Sequence, residues 1–136
     1  MDHDPVNHPR HYTNGFLTRP IECIDITRHM GFCSGNAFKY EWRAGKKGGR
    51  EKLIEDLEKA LFYLHDIYNP YGCYVYGTEH YTAMSHFGQV EEPVEDNNKG
   101  LNAWKAYQVL KDIVSGNYAT AIDKLEAILR EERAVV

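Results

Sequence analysis

Residues 50–68, REKLIEDLEKALFYLHDIY, decide the fold class. Leu53, Leu57, Ala60, Leu64 and Ile67 recur every three or four positions, and Ile54 and Leu61 widen the stripe. That period gathers them on one side of an α-helix, which then needs a partner surface to bury it. Glu51, Lys52, Glu55 and Glu58 fall on the opposite side, where water solvates them. Asn69-Pro70 ends the pattern, because proline lacks the N–H that would continue the ladder and disfavours a helical residue before it.

Upstream, Gly45-Lys46-Lys47-Gly48-Gly49 reads as a tight basic loop, with Gly45 ending the helix before it. That helix is expected over Gly35 to Arg43 with Ser34 as its N-cap, after a break at Gly31. Ile21 to His29 predicts a short helix with Pro20 near its first position. Residues 1–19, with Pro5, Pro9 and the turn-like Asn14-Gly15, read as irregular.

Downstream, Cys73 to Tyr76 can form a short strand, and Glu79 to Phe87 one helical turn or none. Glu91 to Asn98 is acidic, contains Pro93 and reads as a linker. Leu101 to Val114 and Tyr118 to Glu132 are both amphipathic around the turn Ser115-Gly116-Asn117, with Ile122, Leu125 and Leu129 on the second helix's buried face. The stretch GNYATAIDKLEAIL is similar to half a tetratricopeptide repeat, but one unit without a periodic partner makes an ordinary αα-hairpin. The expected fold is mainly α: three short-to-medium helices plus a C-terminal hairpin, with an irregular or short-strand middle segment. The organisation reads as a helical core with a ligand pocket over 1–69, a Tyr-rich and acidic connection over 70–99, and the hairpin over 100–136.

A chain of 136 residues makes one domain with room for a core. Its net charge of −4 argues against DNA binding by bulk charge, so an anion needs a local cluster of cations. Cys23, Cys33 and Cys73 show no CxxC spacing, which argues against a disulfide scaffold and a thiolate zinc site. No charged-then-apolar leader and no run near the ~18 apolar residues of a membrane span is present, so a cytoplasmic protein is expected. Ten tyrosines can serve a core, a stacked base or an interface.

The chemistry concentrates on the second helix. Asn36, Lys39, Tyr40 and Arg43 stand at i, i+3, i+4 and i+7 and share one face. An amide, an amine, a phenol and a guanidinium suit an anion joined to a ring. The bland alternative is a solvated face with Tyr40 at the core edge, and helical geometry alone leaves the two balanced. Lys46 and Lys47 add cations and exposed N–H groups ahead of the third helix. This is no Walker loop, since no glycine lies five residues before Gly45 and Lys47 stands where Ser or Thr would hold magnesium.

Asp56, Lys59 and Tyr63 form a second polar stripe. Asp56 and Lys59 are most simply a surface ion pair; alternatively Asp56 orients Arg43 or Lys39. His8, His11 and Tyr12 can fold over the second helix and close the pocket, and Pro9 between the two histidines argues against a metal site. Asp56 or Glu41 is a candidate for magnesium, and His11 for positioning an acceptor.

The strings VNHPRHY, IECID, GFCSGNAFKYEWRAGKKGG and EDLEKALFYL, within residues 6–65, resemble the SaV-like family of small bacteriophage proteins. One branch of that family is the C-terminal part of a T-odd coliphage nucleotide kinase, a large homo-oligomer without a Walker loop that phosphorylates deoxynucleoside monophosphates. Its pattern is matched at Pro9, His11, Tyr12, Gly35, Asn36, Lys39, Tyr40 and Arg43 through Lys47, then at Asp56, Leu57, Lys59, Ala60 and Tyr63. The other branch includes a phage protein that engages a host abortive-infection system. The resemblance implies a bacteriophage nucleotide-binding protein acting in the host cytoplasm, a homo-oligomer, with a nucleoside monophosphate kinase as its enzymatic form and magnesium accompanying the nucleotide. The alternative is a non-catalytic protein that sequesters a nucleotide or engages a host defence protein. The sequence lacks that kinase's long cysteine-containing N-terminal extension and adds the hairpin from Leu101, so the resemblance carries the pocket residues further than it carries turnover.

Overall fold

The structure is a computed structural model that describes residues 12–13, 16–17, 19–69 and 79–135. Two short strands, β1 (Tyr12–Thr13) and β2 (Phe16–Leu17), pair antiparallel on either side of Asn14-Gly15, with Tyr12 opposite Leu17. Six helices follow: α1 (Cys23–Thr27), α2 (Phe32–Arg43), α3 (Arg50–Asp66), α4 (Glu79–Phe87), α5 (Ala103–Val114) and α6 (Tyr118–Ala134). The protein is mainly helical, as its periodicity predicts. The strand expected at Cys73 to Tyr76 lies outside the described residues.

α3 buries the face read from its spacing: Leu57, Ala60 and Leu64 are fully enclosed, each leucine worth about 1.5–3 kcal/mol. Against it lie α2, which buries Ala37 and Phe38, and α6, which buries Leu125, Ile128 and Leu129. α5 packs on α2 and buries Val109, Leu110 and Ile113, so a single hydrophobic cluster runs from Ile26 in α1 to Leu129 in α6.

Several boundaries differ from the sequence reading. α2 begins at Phe32 with Gly31 as its N-cap, so Ser34 lies inside the helix, where its hydroxyl donates to the Gly31 carbonyl at 3.4 Å. Gly45 ends the helix as expected, at φ +80°, a left-handed conformation that suits glycine. α4 is a nine-residue helix rather than a single turn, because Ala83 and Phe87, one helical turn apart, bury together against the core. Cys33 is disulfide-bonded, contrary to the cysteine reading, whereas Cys23 is a free thiol.

The hairpin is tied down by one carboxylate. Asn102 caps α5, its side chain accepting from the Lys105 N–H at 2.9 Å. Just before it, the Leu101 N–H donates to Glu132 of α6 at 2.7 Å, and Arg50 at the start of α3 pairs with the same carboxylate at 2.9 Å. Glu132 therefore joins three elements. No helix among the described residues is long and apolar enough to cross a membrane.

Candidate functional site

The face of α2 read from the sequence meets α3, and the two polar stripes interlock there. The Tyr40 and Tyr63 rings stack with centroids 6.0 Å apart and planes 6° from parallel. Three cations surround the Tyr40 ring: Lys39 Nζ and Arg43 Cζ at 4.7 Å, and Lys59 Nζ at 5.3 Å. An aromatic face attracts each of them through its quadrupole.

Asp56 is fully buried and accepts from Arg43 at 2.9 Å, with Lys52 at 3.3 Å. Lys59 instead pairs with Glu55 at 2.7 Å. The simple Asp56–Lys59 pair is thus not the arrangement adopted, and Asp56 orients Arg43 from the neighbouring helix. That bond raises the Arg43 pKa, and the Lys59 hydrogen bond, with Lys52 behind it, lowers that of Glu55. Lys39 has no carboxylate partner among the described residues.

Asn36 and Lys39 line a groove of about 220 Å³ with Gly31 and Gly35, although the Asn36 amide donates to the Phe32 carbonyl of its own helix at 2.7 Å. Lys46 and Lys47 are exposed, and Lys46 reaches back to lie 4.6 Å over the Trp42 ring. His8 and His11 lie outside the described residues, as does the Tyr12 side chain, so their proposed closure over α2 does too.

Magnesium does not fit the carboxylates offered for it. Asp56 is already neutralised by Arg43 and Lys52. Glu41 is fully buried, and desolvation pushes its carboxyl up to about 8, so it is protonated at neutral pH. Among the described residues, no three His, Cys, Asp or Glu side chains gather as a metal site.

The sequence reading missed a larger feature on the other side of α2. A cavity of about 460 Å³ opens between α2, the start of α3, the 90–93 strap and α5, within the ~300–1,000 Å³ range of small-molecule sites. Trp42, Leu53, Leu101, Tyr107 and Leu110 are among its lining residues, as are Lys46 and the enclosed Glu41. The signal was present in the wheel: Glu41 follows Ala37 and Phe38 around the buried face, where a charge is out of place.

Residues 6–65 match the model of a family described only as a protein of unknown function, DUF3310. Two bacteriophage proteins are similar to part of the chain. The "Gene 1.7 protein" of Enterobacteria phage T3 is 43% identical over 65 residues, covering 43% of this chain and 38% of its own. The "Nucleotide kinase gp1.7" of Escherichia phage T7 is 45% identical over 65 residues, covering 43% of this chain and 32% of its own. The chain therefore spans about a third of the length of these relatives. No solved structure matches it.

Proposed function

We propose that this is a bacteriophage protein that binds a nucleotide through its phosphates, held by Lys39, Arg43 and Lys59 on the α2–α3 face. The observation carrying this reading is the convergence of those three cations on the stacked Tyr40–Tyr63 pair. Asp56 holds the Arg43 fork in place before a ligand arrives, which limits the ordering cost of binding. The SaV-like resemblance of this segment, and the relative's name as a nucleotide kinase, agree with that chemistry. Phosphoryl transfer between nucleotides is the enzymatic form of the reading. Magnesium enters it only as the companion of the nucleotide's own phosphates.

A thermal-shift screen with nucleoside mono-, di- and triphosphates, with and without magnesium, tests it. Stabilisation by nucleotides is expected, and Lys39→Ala should weaken affinity by about tenfold through loss of a charge-assisted contact. A flat screen overturns the reading. Product formation from ATP and a monophosphate then distinguishes turnover from sequestration.

A second observation favours self-association. Phe32 and Phe62, 70% and 63% exposed, both meet the Tyr63 ring in edge-to-face pairs and leave an aromatic patch beside the cation cluster. We infer a homo-oligomer contact there; light scattering after chromatography should give a smaller species for Phe32→Ser with Phe62→Ser. An unchanged mass removes this face from the interface.

A further inference from the structure

We propose that the groove between the end of α1 and the first turns of α2 is the subsite for the base of the nucleotide, kept open by Gly35 and read by the Asn36 amide. This rests on the nucleotide reading above and places the part of the ligand that the cation cluster leaves unassigned.

The groove adjoins the cations on the same side of α2. Lys39 lines it while its ammonium stands 4.7 Å over the Tyr40 ring, and Phe32 lines it while its ring centroid lies 5.9 Å from that of Tyr63. Asn36, Lys39 and Arg43 stand at i, i+3 and i+7, so a rise of ~1.5 Å per residue spreads them over about 10 Å of helix axis. One nucleotide covers that span, with its base beside Asn36, its first phosphate at Lys39 and further phosphates towards Arg43 and Lys59. The groove volume of about 220 Å³ lies below the ~300–1,000 Å³ of complete small-molecule sites, which suits a single ring system.

Gly35 points to a ligand. It lies inside α2, where glycine destabilises a helix relative to alanine, and its backbone is not left-handed. Packing does not demand a glycine either: a Cβ there would stand 3.6 Å from both Met30 Cβ and the Thr27 carbonyl oxygen, ordinary van der Waals distances. Thr27 and Met30 also line the groove, so the helix gives up stability to keep a space its own side chain could fill. A missing Cβ lets a flat ring approach the backbone closely. Asn36 supplies the polar recognition. One of its amide N–H groups donates to the Phe32 carbonyl at 2.7 Å, which fixes the half-buried side chain and leaves its oxygen and second N–H for a ligand. An acceptor beside a donor complements a nucleobase edge, the pairing by which amide side chains read bases in nucleic acids.

Titration calorimetry with the four common nucleoside monophosphates and with ribose 5-phosphate, which keeps sugar and phosphate and lacks the base, tests the assignment. Gly35→Ala and Asn36→Ala should each weaken the tightest-binding nucleotide by about tenfold and leave ribose 5-phosphate within about twofold. The melting temperature of both ligand-free variants should hold or rise, because alanine is the better helix residue. Lys39→Ala, by contrast, should weaken nucleotide and ribose 5-phosphate alike. Should Gly35→Ala melt earlier, the glycine serves packing and Asn36→Ala alone decides. Nucleotide affinity unchanged in these two variants, weakened equally with ribose 5-phosphate, or matched by ribose 5-phosphate in the natural protein overturns the base subsite while the phosphate site stands. Absence of any nucleotide binding by the natural protein removes both.

Discussion

At the scale of single residues, Arg43 and Lys39 share one helix face but have different duties. Arg43 is the counter-ion of the buried Asp56, so Arg43→Ala strands a carboxylate that keeps only Lys52 nearby. Its loss should cost about 1–3 kcal/mol in denaturant unfolding, below the full penalty of a buried pair because Arg43 is 38% exposed. Lys39→Ala should cost within about 0.5 kcal/mol, as for most surface changes, making it the cleaner probe of binding. Glu41 contributes a pH dependence of its own. Its folded-state pKa of about 8 lies above the ordinary glutamate value of 4.5, so the folded protein holds a proton that the unfolded chain releases. Stability from this group is complete below pH 4.5, declines as pH rises towards about 8, and is level beyond, at a slope approaching 1.4 kcal/mol per pH unit. Glu41→Gln should flatten that limb in melts taken across the window; an unchanged profile would mean that Glu41 is ionised in the fold.

At the scale of elements, the junction around Glu132 decides whether the C-terminal hairpin docks. Its carboxylate accepts from the Leu101 N–H and pairs with Arg50, while the Arg50 guanidinium also donates to the Glu132 carbonyl. Gly100 occupies φ +86°, and a Cβ there would stand 2.5 Å from Glu132 Oε2. Gly100→Ala therefore meets both left-handed backbone strain and a clash, and about 2–4 kcal/mol of destabilisation is expected from chemical denaturation. Glu132→Gln should cost less, about 1–2 kcal/mol, since the amide oxygen can still accept from Leu101. The α2–α3 junction behaves differently: Gly49 has open space around it, so Gly49→Ala should be tolerated.

At the scale of the molecule, α5 and α6 complete the core that α2 and α3 begin. Phe38 and Leu57 are fully enclosed, and α5 and α6 supply the covering surface. A chain ended at residue 99 should lose its cooperative thermal transition by circular dichroism and bind hydrophobic dyes; a sharp transition would show that the first helices fold alone. The same packing gives α2 two roles, because its cations meet α3 on one side while α5 packs against it elsewhere.

Local pattern was sufficient for much of this protein. The three- and four-residue spacing in α3, the turn at Ser115-Gly116-Asn117 and the shared face of Asn36, Lys39, Tyr40 and Arg43 follow from helical periodicity, which depends only on near neighbours. The start of α2 and the length of α4 were less legible, since Phe32 joins a helix capped at Gly31 and α4 gains its burial from distant α1 and α5. Tertiary structure alone decided that Asp56 pairs with Arg43 rather than Lys59, and that Glu41 is enclosed in the fold instead of facing solvent. Both outcomes depend on which face of one helix meets another, far away in sequence, and burial then sets the protonation and partners of each carboxyl.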